Sequence, residues 1–316
     1  MSKTSRRAAV SPVPPAPKAK PEQRPVLGVA YMVMAGLLFV GVTAGVRYIG
    51  TGLPAAQGAF IRYAFGIILT IPALYVLARQ QLTRRQWGMA GLRGVVHSAG
   101  VILWFYSMAR IPLADVTALG YLTPILVTIG AALFMGERLA VRRIVAVVVG
   151  LIGACIILRP GLREIGPGHL SMLVAAMLFA VSYSVAKVMT DDIGPVPVVA
   201  LMSLTVTIGL APAAIPVWQA PTGEQWAVLA FVACVATAGH YLMTLAFREA
   251  PITVTQPVTF LQLVWAVLLG VLVFGEPIDP WVVFGGVVII SAVSFITWRE
   301  SRLKRRVTPP APATKL

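Results

Sequence analysis

The sequence predicts an all-α polytopic membrane protein, with ten transmembrane helices arranged as two inverted five-helix repeats. Three observations carry that expectation. Of the 316 residues, 58% are hydrophobic, against 26 basic and 11 acidic side chains, far from the balance of a soluble domain of this size. Fourteen of the charges stand in residues 1–25 and 299–316, leaving 23 for the 273 residues between. That middle divides into about ten units of a ~20-residue span plus a short turn, with no length for a separate extramembrane catalytic domain. The third observation is an internal repeat, described after the spans.

Residues 1–25 hold six prolines and six basic side chains and read as a disordered basic tail. The apolar run after them is too long for a cleavable signal peptide. Apolar stretches bounded by charge, Gly or Pro place spans 1 to 10 at 26–48, 56–78, 88–109, 114–135, 142–158, 169–190, 196–217, 225–247, 251–274 and 281–298. Repeat 1 occupies 26–158, repeat 2 occupies 169–298, and 299–316 is a second basic tail. An even number of spans puts both termini on one side. With that side in the cytoplasm it holds 21 basic residues: both tails, Arg79, Arg84, Arg85, Arg93, Arg138, Arg142, Arg143, Lys187 and Arg248. Only Arg47, Arg62, Arg110, Arg159 and Arg163 fall in the other half. The positive-inside rule then predicts a bacterial-type inner membrane with both termini cytoplasmic. Trp87, Trp218, Trp226, Trp281 and Trp298 fall near span ends, where amphipathic rings meet headgroups.

The net charge of +15 suggests nucleic acid, but the basic residues flank spans instead of interleaving with a folded aromatic face. The bilayer explains them and no nucleic-acid partner is expected. Cys155 and Cys234 lie inside apolar runs, without metal-ligand spacing. No metal or cofactor is expected.

Sliding residues 107–141 by 139 positions aligns Pro112 with Pro251, Leu122 with Leu261, Leu133 with Leu272, and Gly136-Glu137 with Gly275-Glu276. The shift keeps each span and turn in phase. Five spans per copy invert the second copy, the arrangement by which two halves exchange conformations around a midplane site. Ala109-Arg-Ile-Pro-Leu-Ala-Asp-Val-Thr-Ala-Leu, then Pro124 and Phe134-Met-Gly-Glu-Arg-Leu, resembles the fourth-helix signature of EamA-type drug/metabolite transporters. Ala246-Phe-Arg-Glu-Ala-Pro, Pro257 and Phe274-Gly-Glu-Pro repeat it in degenerate form. The resemblance, which extends to YddG-like amino-acid exporters, implies a ten-helix basket around a central cavity lined mainly by spans 1, 3, 4, 6, 8 and 9.

Polar groups at membrane depth must face protein or water, because an Arg or Asp at the centre costs about 2.5–3.5 kcal/mol on insertion scales. Arg62 either snorkels or offers its guanidinium to an anionic group. Arg47, one turn beyond Thr43, is closer to the surface. On span 3, His97, Val101, Trp104 and Met108 share one face. Span 4 carries Thr117, Tyr121, Pro124 and Thr128; span 9 carries Thr255, Thr259, Gln262 and Trp265. These stripes either line one shared site or hydrogen-bond between packed helices. Tyr183, His240, Tyr241 and Phe260 complete the substrate-binding candidates, and the two histidines either carry protons or bond structurally. No acid lies near mid-span, which leaves a buried carboxylate relay without support. Glu137 and Glu276 follow helix-stopping glycines and are expected near the N-terminus of the next helix. Ala146, Gly150 and Ala154 form a small-residue face on span 5, suited to contact within the fold or in a homodimer.

No activated nucleophile, acid pair or metal cluster is present, so an enzyme is not expected. The leading expectation is export of small amphipathic metabolites, aromatic or apolar amino acids, by alternating access. The alternative is uptake or export of a larger planar metabolite such as riboflavin or S-adenosylmethionine.

Overall fold

The computed structural model describes residues 24–135, 141–162, 164–250 and 258–307. Twelve α-helices stand among them. Span 1 is α1 (Pro25–Ile49). Span 2 is α2 (Ala55–Leu69) with α3 (Ile71–Ala78). Span 3 is α4 (Arg84–Met108), and span 4 is α5 (Leu113–Gly120) with α6 (Leu122–Met135). Span 5 is α7 (Val141–Leu158), span 6 α8 (Pro167–Ile193), span 7 α9 (Pro195–Ala214) and span 8 α10 (Gly223–Glu249). Span 9 is α11 (Leu261–Phe274) and span 10 is α12 (Pro280–Val307). Residues 136–140 and 251–257, with the Gly136-Glu137 turn and the start of span 9, lie outside the described residues.

Three spans read as continuous are interrupted, each for a local reason. Between α2 and α3 the chain bends by 69°. Pro72 has no N–H for the preceding turn, and the Thr70 hydroxyl donates to the Gly66 and Ile67 carbonyls there. Span 4 breaks at Tyr121, ahead of Pro124, whose ring displaces the carbonyl four residues back. Span 9 turns at Phe260, where Leu263 N–H donates to the Phe260 carbonyl in a tightened turn. Tyr121 and Phe260 are 139 positions apart, so the two breaks are the same feature in inverted copies. Span 10 runs past residue 298 to Val307, into the basic tail, where Arg, Lys and Glu are good helix formers.

The register of 139 reaches further than residues 107–141. Thr83 and Gln86 cap α4 reciprocally, at 3.3 and 2.9 Å, and Thr222 and Gln225 cap α10 in the same way, at 3.2 and 2.9 Å. Packing follows the pseudo-twofold axis: α1 lies along α10 and α4 along α8, while α7 lies along its own counterpart α12. Phe39 fits against Gly239 and Phe179 against Gly100, where a Cβ would stand 3.2 and 3.0 Å from the ring. The small-residue face of span 5 serves this interior. Ala146 and Ala154 are buried, and a Cβ on Gly150 would meet Ile125.

Spans 5 and 10 approach each other closely through their glycines. A Cβ on Gly285 would lie 2.6 Å from the Gly153 carbonyl oxygen and 2.7 Å from Ile157. Gly285→Val is therefore expected to cost about 1–3 kcal/mol, as overpacking does, and to lower the thermal midpoint of the detergent-purified protein by several degrees. Gly88→Ala, at a helical site with nothing near its Cβ, should hold or raise it.

Candidate functional site

The site begins at the middle of span 3. His97 is buried, with its Nε2 3.1 Å from the Tyr63 hydroxyl and its Nδ1 3.0 Å from the Ser182 hydroxyl. One ring nitrogen donates and the other accepts, so the ring ties spans 2, 3 and 6 together. Phe179 packs on it at 5.1 Å between centroids, and Tyr183 stacks on Phe179 at 6.1 Å and 12°. Trp104 meets Phe179 edge-on at 6.3 Å. Although Tyr183 belongs to this cluster, 48% of its surface is open.

Arg62 carries the charge of the cluster. Its Cζ lies 4.1 Å above the Tyr63 ring, a cation–π contact, and its buried Nε has no hydrogen-bond acceptor among the described residues. Both Arg62 and the His240 ring bear electrostatically on His97. His240 enters from span 8, edge-on to Phe39 at 4.9 Å. Its Nδ1 lies 2.7 Å from the Ala236 carbonyl. A carbonyl only accepts, so Nδ1 carries the proton.

A second group sits at the twin breaks of spans 4 and 9. Tyr121 and Phe260 meet edge-on at 5.4 Å, and the Tyr121 hydroxyl donates to the Thr259 carbonyl at 3.3 Å. Gln262 and Trp265 are half-buried on the same span, and Trp265 Nε1–H is buried with no acceptor among the described residues. Broken helices at a repeat interface are where carriers place their binding sites.

Nine of the ten candidates thus fall into these two groups. Tyr241 does not. With His240 turned to Phe39, its neighbour is rotated ~100° around the helix, and Tyr241 is 64% exposed on the outer wall. The Thr stripe on span 4 also changes meaning, because Thr117 donates to the Leu113 carbonyl of its own helix, a common resting place for Thr hydroxyls. Thr128 and Thr255 side chains lie outside the described residues. Tyr63, Ser182, Phe39 and Phe179 are site-forming residues that the sequence alone did not single out; Tyr63 adjoins Arg62, but nothing in the spacing pairs it with His97. Arg93, counted among the interfacial charges, is instead buried in span 3, donating to the Val198 carbonyl at 3.1 Å.

The distal end, opposite Pro25 and Val307, is closed by polar links. Arg47 pairs with Glu276 at 2.9 Å, and Glu276 Oε2 accepts from the Leu113 N–H, also at 2.9 Å. Gly275 stops α11 in the left-handed region, at φ 64. Glu276 does not serve the next helix, as expected, but caps α5 in the other repeat, because the Gly275 turn directs it inward. Asp279 caps α12 instead, accepting from Trp281 N–H, and pairs with Arg159. Gln57 exchanges two hydrogen bonds with the Gln219 backbone. A cavity of about 210 Å³ lies beneath, lined by Asp115, Arg159, Glu276 and Asp279 among others. Asp115 is itself buried against His169, so one acid does lie inside the protein, although at a helix end.

The clasp makes a direct expectation. Glu276→Gln removes the charge that Arg47 pairs with, a loss larger than the ~1 kcal/mol of an exposed pair because both groups are mostly buried. In nanodiscs, a cysteine reporter at Val271, on a background lacking Cys155 and Cys234, should react with a charged thiol reagent roughly tenfold faster when Glu276→Gln is present. Equal rates would show that the clasp does not hold the distal end.

Comparison with known proteins identifies the family. The EamA-like transporter family pattern is matched twice, by residues 26–159 and 166–298. A riboflavin transporter of Vibrio cholerae is 33% identical over 90% of this chain and 97% of its own. An S-adenosylmethionine uptake transporter of Rickettsia bellii is 26% identical over 81% of this chain and 88% of its own. A crystal structure aligns with a TM-score of 0.55 at 18% identity, covering 89% of this chain and 98% of that one, a likeness of fold. The chain belongs to the EamA-like transporter family and is a carrier, not an enzyme.

Proposed function

We propose that this EamA-like chain carries a planar heteroaromatic metabolite of the riboflavin kind, by alternating access of its two halves around the Arg62 layer. The observation that carries the reading is the Arg62 guanidinium, held over the Tyr63 ring with an Nε that has no acceptor among the described residues. Five donors in a planar fork suit an acceptor-rich ring edge or a carboxylate. Tyr183, Trp104, Tyr121, Phe260 and Trp265 supply the flat apolar surface on which a fused ring stacks. Trp265 Nε1–H is one more donor awaiting an acceptor.

An amino acid fits less well, because its ammonium needs an acidic partner. Among the described residues the acids sit at span ends, in the distal clasp or at surfaces. S-adenosylmethionine, with an ammonium and a sulfonium, has the same difficulty in larger measure. Riboflavin carries no cation. The relatives point the same way: the riboflavin transporter is 33% identical and the S-adenosylmethionine transporter 26%. The excess of basic residues on the side of the tails supports cytoplasmic termini.

Purified protein in liposomes should move riboflavin, read by its own fluorescence, with saturable kinetics. Arg62→Gln should lower the flux by about 10- to 100-fold, the equivalent of one charged hydrogen bond, with folding unchanged by size-exclusion profile. Arg62→Lys, a point charge without the fork, should restore only part. Flux of labelled S-adenosylmethionine or phenylalanine without riboflavin flux would reject the assignment.

A further inference from the structure

The distal layer contains a buried titratable pair for which carriage of a neutral ring has no use. Asp115, in the first turn of α5, is 1% exposed, and His169, in the first turn of α8, is 6% exposed. His169 Nε2 lies 3.0 Å from Asp115 Oδ2. With a carboxylate as its neighbour, Nε2 donates, so in the neutral ring Nδ1 presents a lone pair. That Nδ1 is buried and has no hydrogen-bond partner among the described residues. A tie between two helices needs one polar edge. An open basic nitrogen on the far side of the same ring, within a hydrogen bond of a carboxylate, is a seat for one more proton. Asp115 also lines the 210 Å³ cavity beneath the distal clasp, which puts the carboxylate of the pair at the cavity wall.

We propose that Asp115 and His169 form a proton-binding site that sets how firmly the distal end is closed. A proton from water adds to the Nδ1 lone pair; one N–H bond forms, hydroxide remains in the water, and the ring becomes an imidazolium. The Nε2–H to carboxylate bond is then an ion pair, shorter and stronger than its neutral form, tying α5 to α8. Loss of the proton loosens the tie. Cations on the surrounding elements oppose the added charge: Arg110, whose Cβ adjoins Gly168, with Arg159 on the loop after α7 and Arg47 on α1. Asp115, Asp279 and Glu276 favour it, as does Glu164 on the loop before α8. A site whose proton affinity differs between two conformations is linked reciprocally to whatever else distinguishes them, so a pH gradient across the bilayer would bias carriage.

The proposal rests on the alternating-access reading above but on no substrate class, and its test adds no substrate. Nitroxide labels at Thr51→Cys and Leu162→Cys, on distal loops, replace the native cysteines in the full chain. Their distance distribution is measured in lipid nanodiscs at about pH 5 and about pH 8, on either side of the histidine range. The expected result is a longer-distance population that grows about threefold or more at the higher pH. His169→Gln, which still donates to Asp115 but takes up no proton, should give one distribution at both values, and Asp115→Asn should do likewise. A wild-type distribution that ignores pH overturns the proposal, and so does a His169→Gln protein that follows the wild type. Should neither variant fold, ¹⁵N-histidine spectra of the wild type decide: a ring must gain its second proton over the pH range of the distance change, and its absence overturns the proposal. Failed riboflavin flux is a separate result and leaves this one standing.

Discussion

A bilayer solvates neither charges nor backbone polar groups, and the rest of this structure follows from how each such group is satisfied. Ser and Thr hydroxyls on the spans mostly donate to carbonyls of their own helices, as Thr43, Thr117, Thr205 and Thr237 do. Arg93 finds a carbonyl and a thioether across the interface with span 7. The distal acids each meet a cation, an imidazole or a helix N-terminus. Among the described residues four buried donors find no acceptor, Arg62 Nε, Arg93 Nε, Arg159 Nε and Trp265 Nε1; those on Arg62 and Trp265 stand in the two aromatic groups, where a passing molecule has something to complete. Unsatisfied polar atoms inside a protein cost about 1–3 kcal/mol each, so they persist where a ligand recovers the cost.

The pseudo-twofold axis converts this chemistry into a carrier. Spans 4 and 9 break at Tyr121 and Phe260, equivalent positions, and the two side chains touch each other. Phe39 on Gly239 and Phe179 on Gly100 are likewise one contact made twice. In the alternating-access reading proposed above, the two halves have the same choice of packings around these fixed points with opposite orientation, so a midplane site can face one side and then the other. Rigid pairs such as Gly153 with Gly285 keep spans 5 and 10 together as a body.

Fold was far more legible in the sequence than site. Apolar length and charge placement found the spans because both report directly on bilayer thickness. The interruptions escaped, although Pro72 and Pro124 mark two of them, because a proline inside an apolar run bends some membrane helices and not others. The repeat was visible as a few identities; Thr83 with Gln86 and Thr222 with Gln225 show that capping boxes carried the same register and lay unused. Candidate residues stood out in the sequence where a residue is rare at depth, as for Arg62, Trp104 and Trp265. They did not stand out where a common residue matters through a partner 34 or 85 positions away, as Tyr63 and Ser182 do through His97. Asp115 escaped for a related reason. Nearness to a helix end suggests exposure, but the fold places His169 over it.

The clasp also bears on how two conformations remain close in energy. Arg47 and Glu276 join span 1 to the turn between spans 9 and 10, with the Leu113 N–H as third partner. Applying the register that relates Phe39 to Phe179 places Lys187 at the position equivalent to Arg47, and the register that relates Tyr121 to Phe260 places Glu137 at that of Glu276. The sequence therefore supplies each end of the protein with one basic residue on a span and one acid after a glycine. A pair at one end alone would favour the state closed on that side. In the alternating-access reading proposed above, matching residue types at both ends are the composition that offsets such a bias.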